Sequence, residues 1–147
     1  MKELYYKYRL KMIKENDGIY GCKSINNEAD IKKIALDYLR MNEESEEIFV
    51  LLALDTQNRI LGIFEVFRGG LNFAIITPRE IFKRLMLCNA NSFICIHNHP
   101  SGNTSPSNED MVTAKNLQEW GKILEIELLD FCIVGDDFCS FCEKRLM

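Results

Sequence analysis

Long apolar runs are missing from this chain. No stretch approaches the roughly 18 apolar residues that cross a bilayer as a helix, so no membrane span is expected. No apolar leader follows Met1-Lys2-Glu3-Leu4-Tyr5-Tyr6, where charges come next, so no secretory signal is expected either. A basic excess is also missing. Eighteen Lys and Arg stand against 22 Asp and Glu, a net charge of -4. That balance leaves no electrostatic footprint for nucleic acid. The local run Lys2, Lys7, Arg9, Lys11 and Lys14 is read as the solvated face of a strand, with a local basic patch as the alternative. Internal repeats and low-complexity tracts are absent. Histidine is scarce, with two in 147 residues.

Six cysteines are present, yet they form no recognisable framework: Cys22, Cys88, Cys95, Cys132, Cys139 and Cys142. Cys95 and Cys132 sit inside apolar runs, as buried free thiols do. Cys139-Ser140-Phe141-Cys142 is a solitary C-x-x-C. A structural zinc needs a second pair at suitable spacing, and none is present. The expectation is a reduced, cytoplasmic protein. A chain of 147 residues that is 47% hydrophobic has the length of one domain and the apolar content for a sizeable core.

The pattern along the chain alternates strands and helices. Residues 4–13 are tyrosine-rich and partly alternating, which favours a strand. Asn27 suits an N-cap for a helix over 28–41, with Ile31, Ile34, Ala35 and Tyr38 on one face. After the acidic break at 43–46, residues 48–54 are apolar on both faces and predict a central strand. Asp55-Thr56-Gln57-Asn58 is a turn into a partner strand over 60–67, which Gly69-Gly70 ends. A third strand is expected over 71–76, a helix over 79–89 started by Pro78, and a strand over 93–97. A helix over 108–124, a strand over 126–134 and a short strand near 138–141 complete the list. The fold class is therefore α/β (α+β mixed), a mixed central sheet flanked by helices.

Both histidines lie in one short segment, His97-Asn98-His99-Pro100-Ser101-Gly102, directly after the apolar run 93–96. Positions i and i+2 of a strand share a face, so His97 and His99 converge on one point. The Gly-, Ser-, Asn- and Pro-rich residues 101–106 form a loop able to return Asp110 to that point. Two imidazoles and a carboxylate are three ligands, with a fourth tetrahedral position left for water, the pattern of catalytic zinc. A competing structural reading exists. Ser107-x-x-Asp110 ahead of an apolar-periodic stretch is also a helix capping box, with Asp in place of Glu. The conjunction of all three ligands favours the metal.

The string His97-x-His99-x7-Ser107-x-x-Asp110 resembles the JAMM (MPN-plus) metalloprotease signature. His-Asn-His-Pro-Ser-Gly, with Pro106-Ser107 and Asp110, is similar to the RadC branch of that superfamily. Pro78-Arg79-Glu80, Asn89-Ala90 and Leu128-Leu129-Asp130 support the likeness. It covers roughly 43–147, a RadC-like JAB/JAMM domain, with 1–42 as a leader of strand plus helix packed on it. The helix-hairpin-helix region of longer members is not in this sequence. The resemblance implies a three-layer cytidine-deaminase-like fold with zinc held by His97, His99 and Asp110. It further implies a glutamate at the start of the first central strand as general base. Glu47 is the expected residue and Glu65 its rival, while Glu46 would face the other way. Ser107 takes the role of donor to the carbonyl oxyanion. One position departs from the pattern: Phe131 stands where the branch usually has a histidine.

The implied activity is zinc-dependent hydrolysis of amide or isopeptide bonds in a peptide or protein substrate. The rival is a DNA-repair or mobile-element accessory protein that uses the metal domain as a scaffold, marked by salt-sensitive DNA binding. A zinc nuclease is set aside, because nuclease motifs named His-Asn-His are not contiguous triplets. A deaminase is set aside because its His-x-Glu and Pro-Cys-x-x-Cys are lacking at this site.

Overall fold

A computed structural model of the chain describes residues 9, 11–13, 24–70 and 76–147. The strand expected over 4–13, most of the basic run, Cys22 and the strand expected over 71–76 fall largely or wholly outside that set. Ile76 is described and belongs to no strand.

The elements run α1 (Glu28–Lys33), β1 (Glu47–Leu54), β2 (Ile60–Gly69), α2 (Pro78–Leu87), β3 (Ser92–Asn98), α3 (Asn108–Leu124), β4 (Glu127–Val134) and β5 (Phe138–Ser140). The five strands form one sheet in the order β2-β1-β3-β4-β5. β1 pairs antiparallel with both β2 and β3, β3 pairs parallel with β4 through α3, and β5 returns antiparallel on β4. The sheet is thus mixed, as the alternation of elements predicts.

Period-2 alternation divides the core. Phe49, Leu51 and Ala53 of β1, with Phe93 and Cys95 of β3, face α2 and α3 through Ile81, Phe82, Leu85, Ala114 and Leu117. Val50, Leu52 and Leu54, with Ile94 and Ile96, face Ile31, Ile34, Ala35 and Met41. β1 and β3 are therefore covered on both sides, which explains their unbroken apolar sequence. Leu51, Leu52, Phe93 and Ile96 are fully enclosed, and truncating any one to Ala costs about 2–5 kcal/mol. At the β1–β2 turn, Asp55 Oδ1 accepts from Gln57 N at 2.8 Å and Arg59 N at 2.9 Å. Asn58 supplies the positive φ of 55°, a conformation asparagine tolerates.

Two helices differ from their predicted extent. Asn27 Oδ1 caps α1 by accepting from Asp30 N at 3.1 Å, but the α-helix ends at Lys33 and a π-helical turn covers Ile34–Tyr38. The wider turn replaces i+4 by i+5, so Leu39 N bonds Ile34 O at 2.9 Å. Leu39 rather than Tyr38 is carried towards the sheet, and Tyr38 is 39% exposed. The residue predicted to complete the buried stripe is on the surface for that reason. α2 begins at Pro78 with Thr77 as N-cap and ends at Leu87, two residues early, because Asn89 takes a left-handed conformation. The cysteines at 88, 95, 132, 139 and 142 are free thiols. No described helix is long and apolar enough to cross a membrane.

Candidate metal centre

The parallel β3–α3–β4 unit sets the donor positions. His97 ends the inward series Phe93, Cys95, His97 on the face that carries α2 and α3. His99 lies one residue beyond β3, and its N–H donates to Val134 O at 2.7 Å, so the backbone ladder to β4 runs past the strand end. The loop then doubles back. Gly102 N donates to His99 O at 2.9 Å, and Gly102 O accepts from Asp136 N at 2.8 Å. Gly102 has φ +83°, and a Cβ there would lie 2.5 Å from Asp136 Oδ2. A Cβ on Gly135 would strike the Gly102 carbonyl. Only glycine permits this contact between the loop and the β4–β5 turn.

α3 starts immediately after the loop. Ser107 Oγ accepts from Asp110 N at 3.1 Å, and Asp110 Oδ2 accepts from Ser107 N at 2.7 Å. This is the capping box foreseen in the sequence, with Asp at the position usual for Glu. It satisfies two otherwise orphaned donors and is worth about 1 kcal/mol. The same carboxylate points at the histidines. Asp110 Oδ1 lies 3.0 Å from His97 Nε2, and Asp110 Oδ2 lies 3.4 Å from His99 Nε2. One ligand atom from each residue falls within 4.8 Å of the others, the one such group of three found among the described residues.

The donor set fits a small divalent cation. Zinc bonds of 2.0–2.2 Å in a tetrahedron place ligand atoms about 3.3–3.6 Å apart; the two Asp110–imidazole contacts, 3.0 and 3.4 Å, are near that spacing, within a cluster that spans up to 4.8 Å. Asp110 is fully buried, and its Oδ1 is not aligned for a hydrogen bond despite its closeness to His97. A buried carboxylate oxygen left in that state has a coordinating lone pair to offer. His99 Nδ1 is 2.6 Å from Asn103 O. A carbonyl only accepts, so Nδ1 carries the proton and the neutral ring keeps its Nε2 lone pair for an ion. His97 is 2% exposed. Phe131 packs against its ring at 5.5 Å, and Phe49 stacks on it at 6.1 Å and 25°.

The carboxylates respond to this environment. Burial pushes the Asp110 carboxyl up, but the His97 and His99 imidazoles and the Ser107 N–H outweigh it and hold the group well below the usual carboxylate range. Asp110 is therefore ionised at neutral pH. Glu47, half-buried at the start of β1, moves the other way. Burial raises its carboxyl, with His97 and His99 pulling back. Its face is that of Phe49, which pairs with His97 across β1 and β3. Glu47 and His97 line the same small crevice, with Phe49, Phe67 and Ile76. A carboxyl whose pKa is raised is the better matched to proton transfer near neutral pH. Glu65 stands apart. It pairs with Val50, on the opposite face of the sheet, and is held by Arg68 at 2.8 and 3.0 Å. Glu46 is 3.9 Å from the same Arg68.

The contacts of two neighbours of the cluster, Phe131 (already singled out by the resemblance) and Asn98, escape a reading of the sequence as a string. Phe131 touches His97 because β4 runs parallel to β3, a pairing that single-strand periodicity does not disclose. Asn98 is 2% exposed and binds the backbone on both sides of Glu47. The available signal was its place: an amide between two inward-aimed histidines must find polar partners on the neighbouring strand.

Comparison with known proteins agrees with this geometry. The family model described as "RadC-like JAB domain" matches residues 25–146. A UPF0758 protein of Clostridium perfringens is 38% identical over 148 aligned positions, covering all of this chain and 61% of that protein. A UPF0758 protein of Methanosarcina acetivorans is 49% identical over 102 positions, 69% of this chain and 44% of its own. One from Halalkalibacterium halodurans is 43% identical over 121 positions, 82% and 51% of the two chains. The chain thus spans at most 61% of the length of these relatives. The matched span takes in every strand of the sheet and the whole loop from His97 to Asp110, and the chain belongs to the RadC-like JAB domain family.

Proposed function

We propose that the protein is a zinc-dependent hydrolase of amide or isopeptide bonds, acting on a peptide or protein in the reduced cytoplasm. The observation that carries this reading is the gathering of His97, His99 and Asp110 within 4.8 Å, beside a cleft that Glu47 also lines. The free thiols are in keeping with a reducing compartment.

His97 Nε2, His99 Nε2 and one Asp110 oxygen would hold the ion. When bound, zinc supplies Lewis acidity and makes hydroxide available near neutral pH. The remaining work falls to side chains of this chain. Glu47, with its raised carboxyl pKa, takes a proton from the attacking water and delivers it to the leaving amine. General acid–base help of this kind contributes about 10²–10⁴ in rate. The Ser107 hydroxyl accepts from Asp110 N, which uses a lone pair and leaves its O–H to donate. Directed at the carbonyl oxygen as charge develops, such a donor is worth about 3–4 kcal/mol of barrier. Phe49 and Phe67 line the apolar side of the cleft.

The test is metal analysis together with Glu47→Gln, assayed on a pool of fluorogenic peptides and lysine-linked isopeptides. Glu47→Gln is expected to keep its zinc and lose about 100-fold or more in turnover. Undiminished turnover removes Glu47 from the mechanism. A purified protein that takes up no zinc refutes the hydrolase reading entirely.

A further inference from the structure

The middle residue of His97-Asn98-His99 faces away from both histidines. Asn98 Oδ1 accepts from Ile48 N at 2.7 Å, and Asn98 Nδ2 donates to Glu46 O at 3.0 Å. These two backbone groups flank Glu47. The last backbone pair of the β1–β3 ladder is Phe49 with His97. Beyond it the two strands are joined by a side-chain amide, which offers an acceptor and a donor as a peptide unit does. Asn98 is 2% exposed, so these bonds are shielded from competition by water.

We infer that Asn98 is the positioning residue for Glu47, an amide clasp that locks the start of β1 in register with the two histidines. The inference rests on the metallohydrolase reading above. Its physical basis is continuity. His97 and His99 are the residues on either side of Asn98, and Glu46 and Ile48 are those on either side of Glu47. One side chain therefore ties the frame of the imidazoles to the frame of the carboxylate. Without it, Ile48 N and Glu46 O end the ladder unbonded, and the strand end is free to fray. A small displacement of a general base is costly to the rate, because proton transfer needs hydrogen-bond reach.

The clasp is tested without a substrate, on protein loaded with cobalt(II) in place of zinc. The visible absorption of the metal reports the groups around it in wild type, Glu47→Gln, Asn98→Ala and the double variant. Asn98→Ala is expected to bind cobalt within about threefold of wild type and to reproduce the band shift of Glu47→Gln. The double variant is expected to match Glu47→Gln alone, since a residue that acts through Glu47 has nothing left to disturb. A wild-type spectrum for Asn98→Ala, a further shift in the double variant, or loss of cobalt from a folded Asn98→Ala each overturns the inference. An unchanged spectrum for Glu47→Gln instead counts against the role of Glu47 itself, and failure of wild type to bind cobalt counts against the metal site. Should Asn98→Ala not fold, Asn98→Ser is read in the same way. In the metal-free wild type the Ile48 amide must also exchange slowly; exchange at the rate of an open loop overturns the clasp directly.

Discussion

Two aspartates are buried on the two sides of the β3–β4 pair, and they are buried for different reasons. Asp130, on β4, is 5% exposed and Asp110, on α3, is fully enclosed. Asp130 Oδ1 accepts from Phe131 N at 2.8 Å and Cys142 N at 3.0 Å, and Oδ2 accepts from Ser140 Oγ at 2.6 Å. Those donors are fixed parts of the fold, and Ser140 Oγ in turn accepts from Glu143 N at 3.1 Å. The group knots the C-terminal turn to β4 and is complete as it stands. Asp110 has one backbone donor, Ser107 N, and otherwise faces two imidazole edges. Imidazole nitrogens exchange a proton for a cation near neutrality, which amide and hydroxyl donors do not. A buried carboxylate closed by fixed donors builds structure, whereas one that faces titratable rings could also hold an ion.

The widest separation between the two should come from truncating each. Asp110→Ala is expected to lower zinc affinity by more than about 100-fold, beyond the usual loss for an outer-shell partner, as read by chelator competition. Asp130→Ala should leave that affinity within about threefold. Comparable affinities in the two variants would erase the distinction. Folding stability should reverse the ranking. Asp130→Ala strands three donors and is expected to cost about 3 kcal/mol in a denaturant titration. Asp110→Ala in the metal-free protein loses the capping box, about 1 kcal/mol, together with its contact to the His99 ring. The finest contrast is in pH. The hydrogen bond to Asp110 is the main cause that raises the His99 pKa above 6.5, with the Asn103 carbonyl adding to it and burial opposing. In the metal-free protein this stabilisation is whole below 6.5 and is lost as pH climbs through the raised value. Metal binding needs the neutral ring, so zinc affinity should run the opposite way and fall as pH drops through the same window. Parallel pH trends for stability and affinity would contradict the assignment of His99 to both.

The parts of this arrangement that are local in sequence are legible in the sequence alone. Unbroken apolar runs marked β1 and β3, and Asn27, Pro78 and Ser107 marked three helix starts. The spacing of His97, His99 and Asp110 follows from one strand, one loop and one helical turn, so a linear reading reaches it. Tyr38 shows where such reading ends, because a single π turn rotates everything after Ile34 and no residue there announces it. The choice between Glu47 and Glu65 depended on cross-strand register, with a bulge between Phe49 and Val50 that shifts the β1–β2 pairing. Asn98 and Phe131 act across β1–β3 and β3–β4, pairings that only the folded sheet defines.

Asp110 holds two appointments at once, since the atoms that close the first turn of α3 are those that face the rings. Winding that turn and assembling the cluster are thus a single event. A glutamate would serve as helix cap but carry its charge one methylene too far, and an asparagine would offer an NH₂ where a lone pair is required. Loading the cluster should therefore slow hydrogen exchange at the amides of 108–111, and chelation should release them together.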